Sequence, residues 1–166
     1  MQPGEYRYEM QGDKPLAVTA SVRTSRLDVY IDPISRFPLP QIRLFISFTD
    51  ANIVMWDLYG NNKGGPLHRQ GLGALAVNTA IQFMRVLCPE HATLGGHVYD
   101  AQDTSIEAQR SRVAFWRRFN FQVTEPNAMG DQYLRGTLGA LSYATDGNAM
   151  GEHPRIFDIS LMIKMA

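Results

Sequence analysis

Asn52-Ile53-Val54-Met55-Trp56-Asp57-Leu58-Tyr59, the loop from Gly60 to Gln70, and Gly71-Leu72-Gly73-Ala74 running on to Leu87 decide how this chain folds. The first run is apolar and rich in β-branched and aromatic residues, so it predicts a strand. The last has Leu72, Leu75, Ala76, Thr79, Ala80, Phe83 and Leu87 at helical spacing, with Asn78 and Gln82 on the other side, and Pro89 beyond it stops the helix. A strand, a glycine-bearing turn and a helix follow one another. At such a helix start the first backbone N–H groups have no intrahelical acceptor and point into the turn, where the helix dipole adds partial positive charge. A phosphate or pyrophosphate suits that spot, and Gly71 and Gly73 let the backbone approach it. An ordinary strand-to-helix connection that uses glycine for close packing is the bland alternative.

Working outward, residues 1–15 read as an irregular start. Leu16, Val18, Ala20 and Val22, then Leu27, Val29 and Ile31, alternate as two strands or one bent strand. Ile42, Leu44, Ile46 and Phe48 alternate with Arg43, Phe45, Ser47 and Thr49 in the next strand. The tight turn at Asp50-Ala51-Asn52 predicts an antiparallel hairpin with Ile53–Tyr59. Ala92–Tyr99 predicts a strand whose Gly95 and Gly96 mark a bulge or a close approach. Thr104 or Ser105 caps a second helix carrying Ile106, Val113, Phe115, Trp116 and Phe119, and Asn120 suits a left-handed helix end. Phe121–Thr124 starts another strand. Residues 127–155 contain five glycines and read mainly as loop, with a short helix around Asp131–Leu141, and Arg155–Met165 is a closing strand.

The 166 residues fit a single domain with a core of its own. Apolar residues make up 45% and charged residues 19%, as in water-soluble domains, and 16 basic residues balance 16 acidic ones. Net neutrality argues against a general electrostatic hold on nucleic acid or an acidic membrane. Cys88 is the only cysteine, so neither an internal disulfide nor a cysteine metal cluster is available. His68, His91, His97 and His153 lack metal-ligand spacing, so no metal is expected. There is no signal-peptide pattern and no apolar run of roughly 20 residues, which makes the cytoplasm the expected compartment and membrane an unexpected partner.

Two segments carry a family resemblance. His68-Arg69-Gln70-Gly71-Leu72-Gly73 resembles the pyrophosphate motif Q/R-x-x-G-x-G/A of the GCN5-related N-acetyltransferases. Gln109-Arg110-Ser111-Arg112-Val113-Ala114-Phe115-Trp116-Arg117-Arg118-Phe119-Asn120-Phe121 resembles the later family segment N-x-x-A-x-x-F-Y-x-x-x-G-F. Residues 42–124 are spanned. Here His68 stands for Gln or Arg, Gln109 for Asn, Asn120 for Gly and Trp116 for Tyr. The family's two N-terminal helices are not evident, because Pro33–Pro40 is too short for both.

The resemblance implies an α/β (α+β) fold: a mixed, mostly antiparallel central sheet flanked by helices, with the N-terminal helices reduced or absent. It implies acetyl-CoA as co-substrate and direct attack by an amine, which could belong to a small molecule, a protein or an aminoacyl-tRNA. It makes homodimerisation an option. The coenzyme would be held by His68, Arg69, Gln70, Gly71, Leu72, Gly73 and Ala74, by Leu58 and Tyr59 at the end of a splayed strand, and by Gln109 and Trp116. Indole cannot take the acid role of the family's Tyr hydroxyl, so Ser111 or Tyr99 is the candidate acid. Asp57, His97, Tyr99 and Asp100 are candidates for proton removal, His97 having the most suitable ordinary pKa. Arg110, Arg112, Arg117 and Arg118 read as a solvated face, with the coenzyme's 3′-phosphate as a second use. The alternative function is a relative of these enzymes that has lost its chemistry and serves as an interaction module.

Overall fold

In a computed structural model the described residues are 1–34, 41–60, 70–98, 104–145 and 153–166, without the side chains of Trp56 and Asp57. They form a mixed α/β unit around one nine-stranded, mostly antiparallel sheet with two helices. Strands β1 (Gly4–Met10), β2 (Leu16–Val22), β3 (Arg26–Pro33), β4 (Ile42–Phe48) and β5 (Asn52–Tyr59) form an antiparallel meander. Helix α1 (Leu72–Leu87) then crosses back, and β6 (Thr93–Val98) pairs parallel to β5. After α2 (Ile106–Arg117), β7 (Gln122–Val123) and β8 (Gln132–Thr137) complete that side, with β8 inserted antiparallel between β6 and β7. The two-residue β9 (Ile163–Lys164) pairs with β1 at the other edge.

Residues 4–10 are therefore a full strand, not an irregular start. Their polar side chains hide the signal, but Tyr6 and Tyr8 pack on the core and seven register pairs join them to β2. Residues 132–137 are strand rather than helix, followed by a 3₁₀ turn over Leu138–Ala140. The closing segment is not one strand either: Ile159–Leu161 is a 3₁₀ turn, and only Ile163–Lys164 joins the sheet.

Register assigns the two faces of the sheet. Ile46, Met55, Gly96 and Leu134 lie abreast on one face; Ser47, Val54, Gly95 and Arg135 lie abreast on the other. The first face is the core, where Leu27, Val29, Ile31, Ile42 and Leu44 are fully buried under α1. Helix α2 meets the same face, since Gln109 Nε2 donates to Gln132 Oε1 at 2.6 Å and Gln132 shares the face of Leu134. Among the described residues no helix covers the second face, and none precedes α1.

Helix α1 is buried on both sides. Asn78 is fully buried, its Nδ2 donating to the carbonyls of Ala144 (3.0 Å) and Arg155 (2.8 Å), and its Oδ1 accepting from Ala144 N–H (3.1 Å). Gln82 bonds Phe157 and Ile159 in the same way. The side that carries Asn78 and Gln82 thus holds down Ala144 and the segment Arg155–Ile159. Among the described residues no helix is long and apolar enough to cross a membrane.

Candidate functional site

The parallel pair β5–β6 is short. Asn52–Met55 pairs with Thr93–Gly96, and there the pairing stops, although β5 continues to Tyr59 and β6 to Val98. Two local features cause the parting. On the β4 side, register shifts between Phe45 and Ile46, whose partners are Asp57 and Met55, so Trp56 is an extra residue. A bulge of this kind bends the strand and increases its twist. On the β6 side, Gly96 admits the Met55 carbonyl so closely that a Cβ would lie 2.8 Å from that oxygen. The two glycines expected to mark a close approach therefore differ: Gly96 has one, whereas the nearest group to a Cβ on Gly95 is Arg135 Nη1 at 3.9 Å.

Helix α1 starts at the open end. Its last turn lies near the start of β5, where Cys88 Sγ–H donates to the Thr49 carbonyl at 3.7 Å. Sixteen residues rise about 24 Å, so the helix begins toward the carboxyl ends of the strands. That is where open α/β sheets bind ligands. Gly71 is the N-cap at φ 79°, a left-handed conformation suited to glycine, and its carbonyl accepts from Leu75 N–H at 3.0 Å. Gly71 has no side chain with which to cap this terminus, and the first turn has no acidic residue. Leu72, Gly73 and Ala74 are buried. The N–H groups of a first helical turn favour an anionic acceptor.

Past the parting, His97 lies on the second face of the sheet, opposite Tyr133 in register, with ring centroids 5.1 Å apart. Its Nε2 is 3.3 Å from Asp131 Oδ1. Asp131 is fixed by the turn before β8, where Asn127 Oδ1 accepts from the N–H groups of Met129 and Asp131, each at 2.9 Å. A carboxylate on one ring nitrogen orients the imidazole. No local pattern links residues 34 positions apart, so Asp131 was invisible as a partner until the β6–β8 register placed it.

The same face continues across β5 and β4. Phe45 and Tyr59 have ring centroids 5.8 Å apart, and Tyr30 meets Phe45 edge-on at 6.2 Å. Gln41, Arg43, Phe45 and Tyr59 line an open cavity of about 330 Å³. Its sequence signal was Phe45, an aromatic residue on the polar side of the β4 alternation. Beside them the Arg26 guanidinium lies over the Phe45 ring, 5.1 Å from its centroid, and its Nε contacts buried Asp28 at 2.6 Å; that bond holds the guanidinium pKa above its ordinary value.

The other candidates separate. Leu58 packs on the core and Tyr59 is half exposed on the second face. Asp57 lies on β5, but its side chain, like His68, Arg69, Tyr99 and Asp100, falls outside the described residues. Gln70 immediately precedes the N-cap. Gln109, a candidate coenzyme contact, uses its amide within the protein, on Gly130 carbonyl (3.4 Å) and Gln132. Trp116 is buried in a cluster with Phe115, Phe119 and Phe121, which is a packing role. Ser111 is exposed on α2. Ser105 caps α2 by accepting from Ala108 N–H at 3.2 Å, and Asn120 has φ 64° at its end. No group of three His, Cys, Asp or Glu able to hold a metal occurs among the described residues. No protein-family model matches the chain, and no curated protein matches it, so geometry carries the functional argument.

Proposed function

We propose that the chain is an acetyl-CoA-dependent N-acyltransferase of the GCN5-related kind, acting by direct transfer to an amine. The observation that carries this reading is the parting of β5 and β6 after Met55 and Gly96, beside the glycine-capped start of α1. A pair of parallel strands that opens at its carboxyl ends gives a thioester arm somewhere to lie. The backbone N–H groups of Leu72, Gly73 and Ala74 would hold the pyrophosphate, and Leu58 and Tyr59 would line the arm. The coenzyme would supply an activated acetyl carbonyl.

What the chain adds is proton handling. An ammonium must lose a proton before its nitrogen can attack, and His97, oriented by Asp131, would accept it directly or through water. The same imidazole can return a proton to the departing thiolate, a role that buried Trp116 cannot take. The test is a thermal-shift titration with acetyl-CoA together with thiol release in the presence of amines. A ligand that binds only the folded state raises the melting point by mass action. Absence of a shift at millimolar acetyl-CoA would reject this function and leave an interaction module. With activity in hand, His97→Gln and Asp131→Asn are each expected to lower kcat/KM, the first by roughly 10²–10⁴-fold.

A further inference from the structure

We infer that the cavity on the second sheet face receives the acceptor, and that the acceptor is a small amine carrying a flat ring and a carboxylate, of the aromatic amino acid class. This rests on the acyltransferase reading for the reaction, but not for the binding. Four facts support it. First, the cavity of about 330 Å³ suits one small molecule and is floored by rings: Phe45 and Tyr59 give an aromatic shelf with Tyr30 at its edge. Aromatic faces stack on planar groups and offer little to a flexible aliphatic chain.

Second, the charge available there is positive. Arg43 Nε donates to Gln41 Oε1, and no described residue bonds its terminal nitrogens. The described carboxylates nearby are engaged, Asp32 by Gln41 Nε2 and Asp28 by Arg26. Among the described side chains the site thus has a guanidinium fork for an anion and no uncommitted carboxylate for a polyamine or a lysine side chain. Third, the shelf and the His97–Asp131 pair share one face of the sheet and lie on opposite sides of the β5–β6 opening. A molecule with its ring on Phe45 and its carboxylate on Arg43 would direct its amine toward that opening. Fourth, the two described helices pack on the opposite face of the sheet from this cavity.

The test is calorimetric titration of L-phenylalanine, L-phenylalanine methyl ester and spermidine into the full chain, with and without acetyl-CoA, repeated on Arg43→Gln and Phe45→Leu. L-Phenylalanine is expected to bind more tightly than its ester, which lacks the anion, and than spermidine. Arg43→Gln should weaken L-phenylalanine by roughly 10–100-fold, the worth of one charge-assisted hydrogen bond, and leave the ester unchanged. Phe45→Leu should weaken both. The acetyl-CoA thermal shift should survive both substitutions. Equal binding of acid and ester, preference for spermidine, no binding of L-phenylalanine, or indifference to Arg43→Gln would each overturn the inference. Failure of the acyltransferase reading looks different: acetyl-CoA gives no shift while the amino acid still binds.

Discussion

Gly96 stands where the sheet stops being a sheet, and Gly96→Ala tests that claim quantitatively. The added methyl carbon would lie 2.8 Å from the Met55 carbonyl oxygen and 3.2 Å from Leu134 Cδ1. Ordinary carbon–oxygen contacts begin at about 3.3 Å, so about half an ångström must be made up. The Leu134 methyl can turn aside. The carbonyl cannot, because it belongs to the last paired residue of β5 and moving it unzips the parallel ladder. Overpacking of this kind costs about 1–3 kcal/mol, and a contact with backbone belongs at the upper end. At about 2–4 °C per kcal/mol for a chain of this size, the melting temperature should fall by roughly 4–12 °C. Gly95→Ala is the internal control. Its Cβ meets nothing closer than 3.9 Å and its φ is not positive, so the loss of unfolded-chain freedom should make it neutral or more stable, by up to about 1 kcal/mol. Calorimetry of both variants, each with and without acetyl-CoA, is the assay. Gly96→Ala should also reduce the ligand-induced shift, because it alters the base of the opening. If Gly96→Ala melted within a degree of the parent, or Gly95→Ala were the more damaging, the account of why β5 and β6 part would be refuted.

Asn78→Ala should cost roughly 3 kcal/mol or more, at about 1–3 for each buried group left without its partner, and urea melts with limited proteolysis of residues 141–162 will show whether this C-terminal segment is released first. Cys88 should resist alkylation in the folded protein at pH 8, because burial, with a smaller contribution from Asp50, pushes its pKa above the ordinary 9.0; rapid native-state labelling would contradict this burial. The Asp158 carboxyl is held below its ordinary 3.8, first by the Ser160 backbone N–H at 2.8 Å. Its contribution to stability is therefore complete above pH 4 and disappears as pH falls through the lower folded value. Asp158→Asn should narrow toward the parent in melting temperature over that acid range, and a constant gap would count against the cap. Asn120→Gly should be close to neutral at φ 64°, offset only by the lost bond from Asn120 Nδ2 to Ala140 carbonyl at 2.7 Å, whereas Asn120→Val should cost about 1–2 kcal/mol in a chemical melt.

Much of the architecture was written locally. The alternation of Leu16–Val22, Leu27–Ile31 and Ile42–Phe48, the Asp50–Asn52 turn, the helical spacing from Leu72 to Leu87, the Ser105 cap and the left-handed Asn120 all depend on neighbours within a few positions. Their periods and turn chemistry were enough to place the strands and helices. Where local chemistry was ambiguous the reading went wrong. Residues 4–10 are too polar to look like a strand, and residues 132–137 become one only because β6 and β7 flank them.

By itself, then, the sequence determined the strand–turn–helix at Asn52–Leu87, the hairpins before it and the glycines at which backbone could come close, because each is set by φ/ψ preference and hydrophobic period. Only the tertiary structure decided that β5 and β6 separate after Met55 and Gly96, that Asp131 reaches His97, that Gln109 and Trp116 serve internal packing, and that Arg43, Phe45 and Tyr59 gather on one face of the sheet. Most of those relations join residues many positions apart. They come from the register of the whole sheet, which no stretch of chain specifies alone.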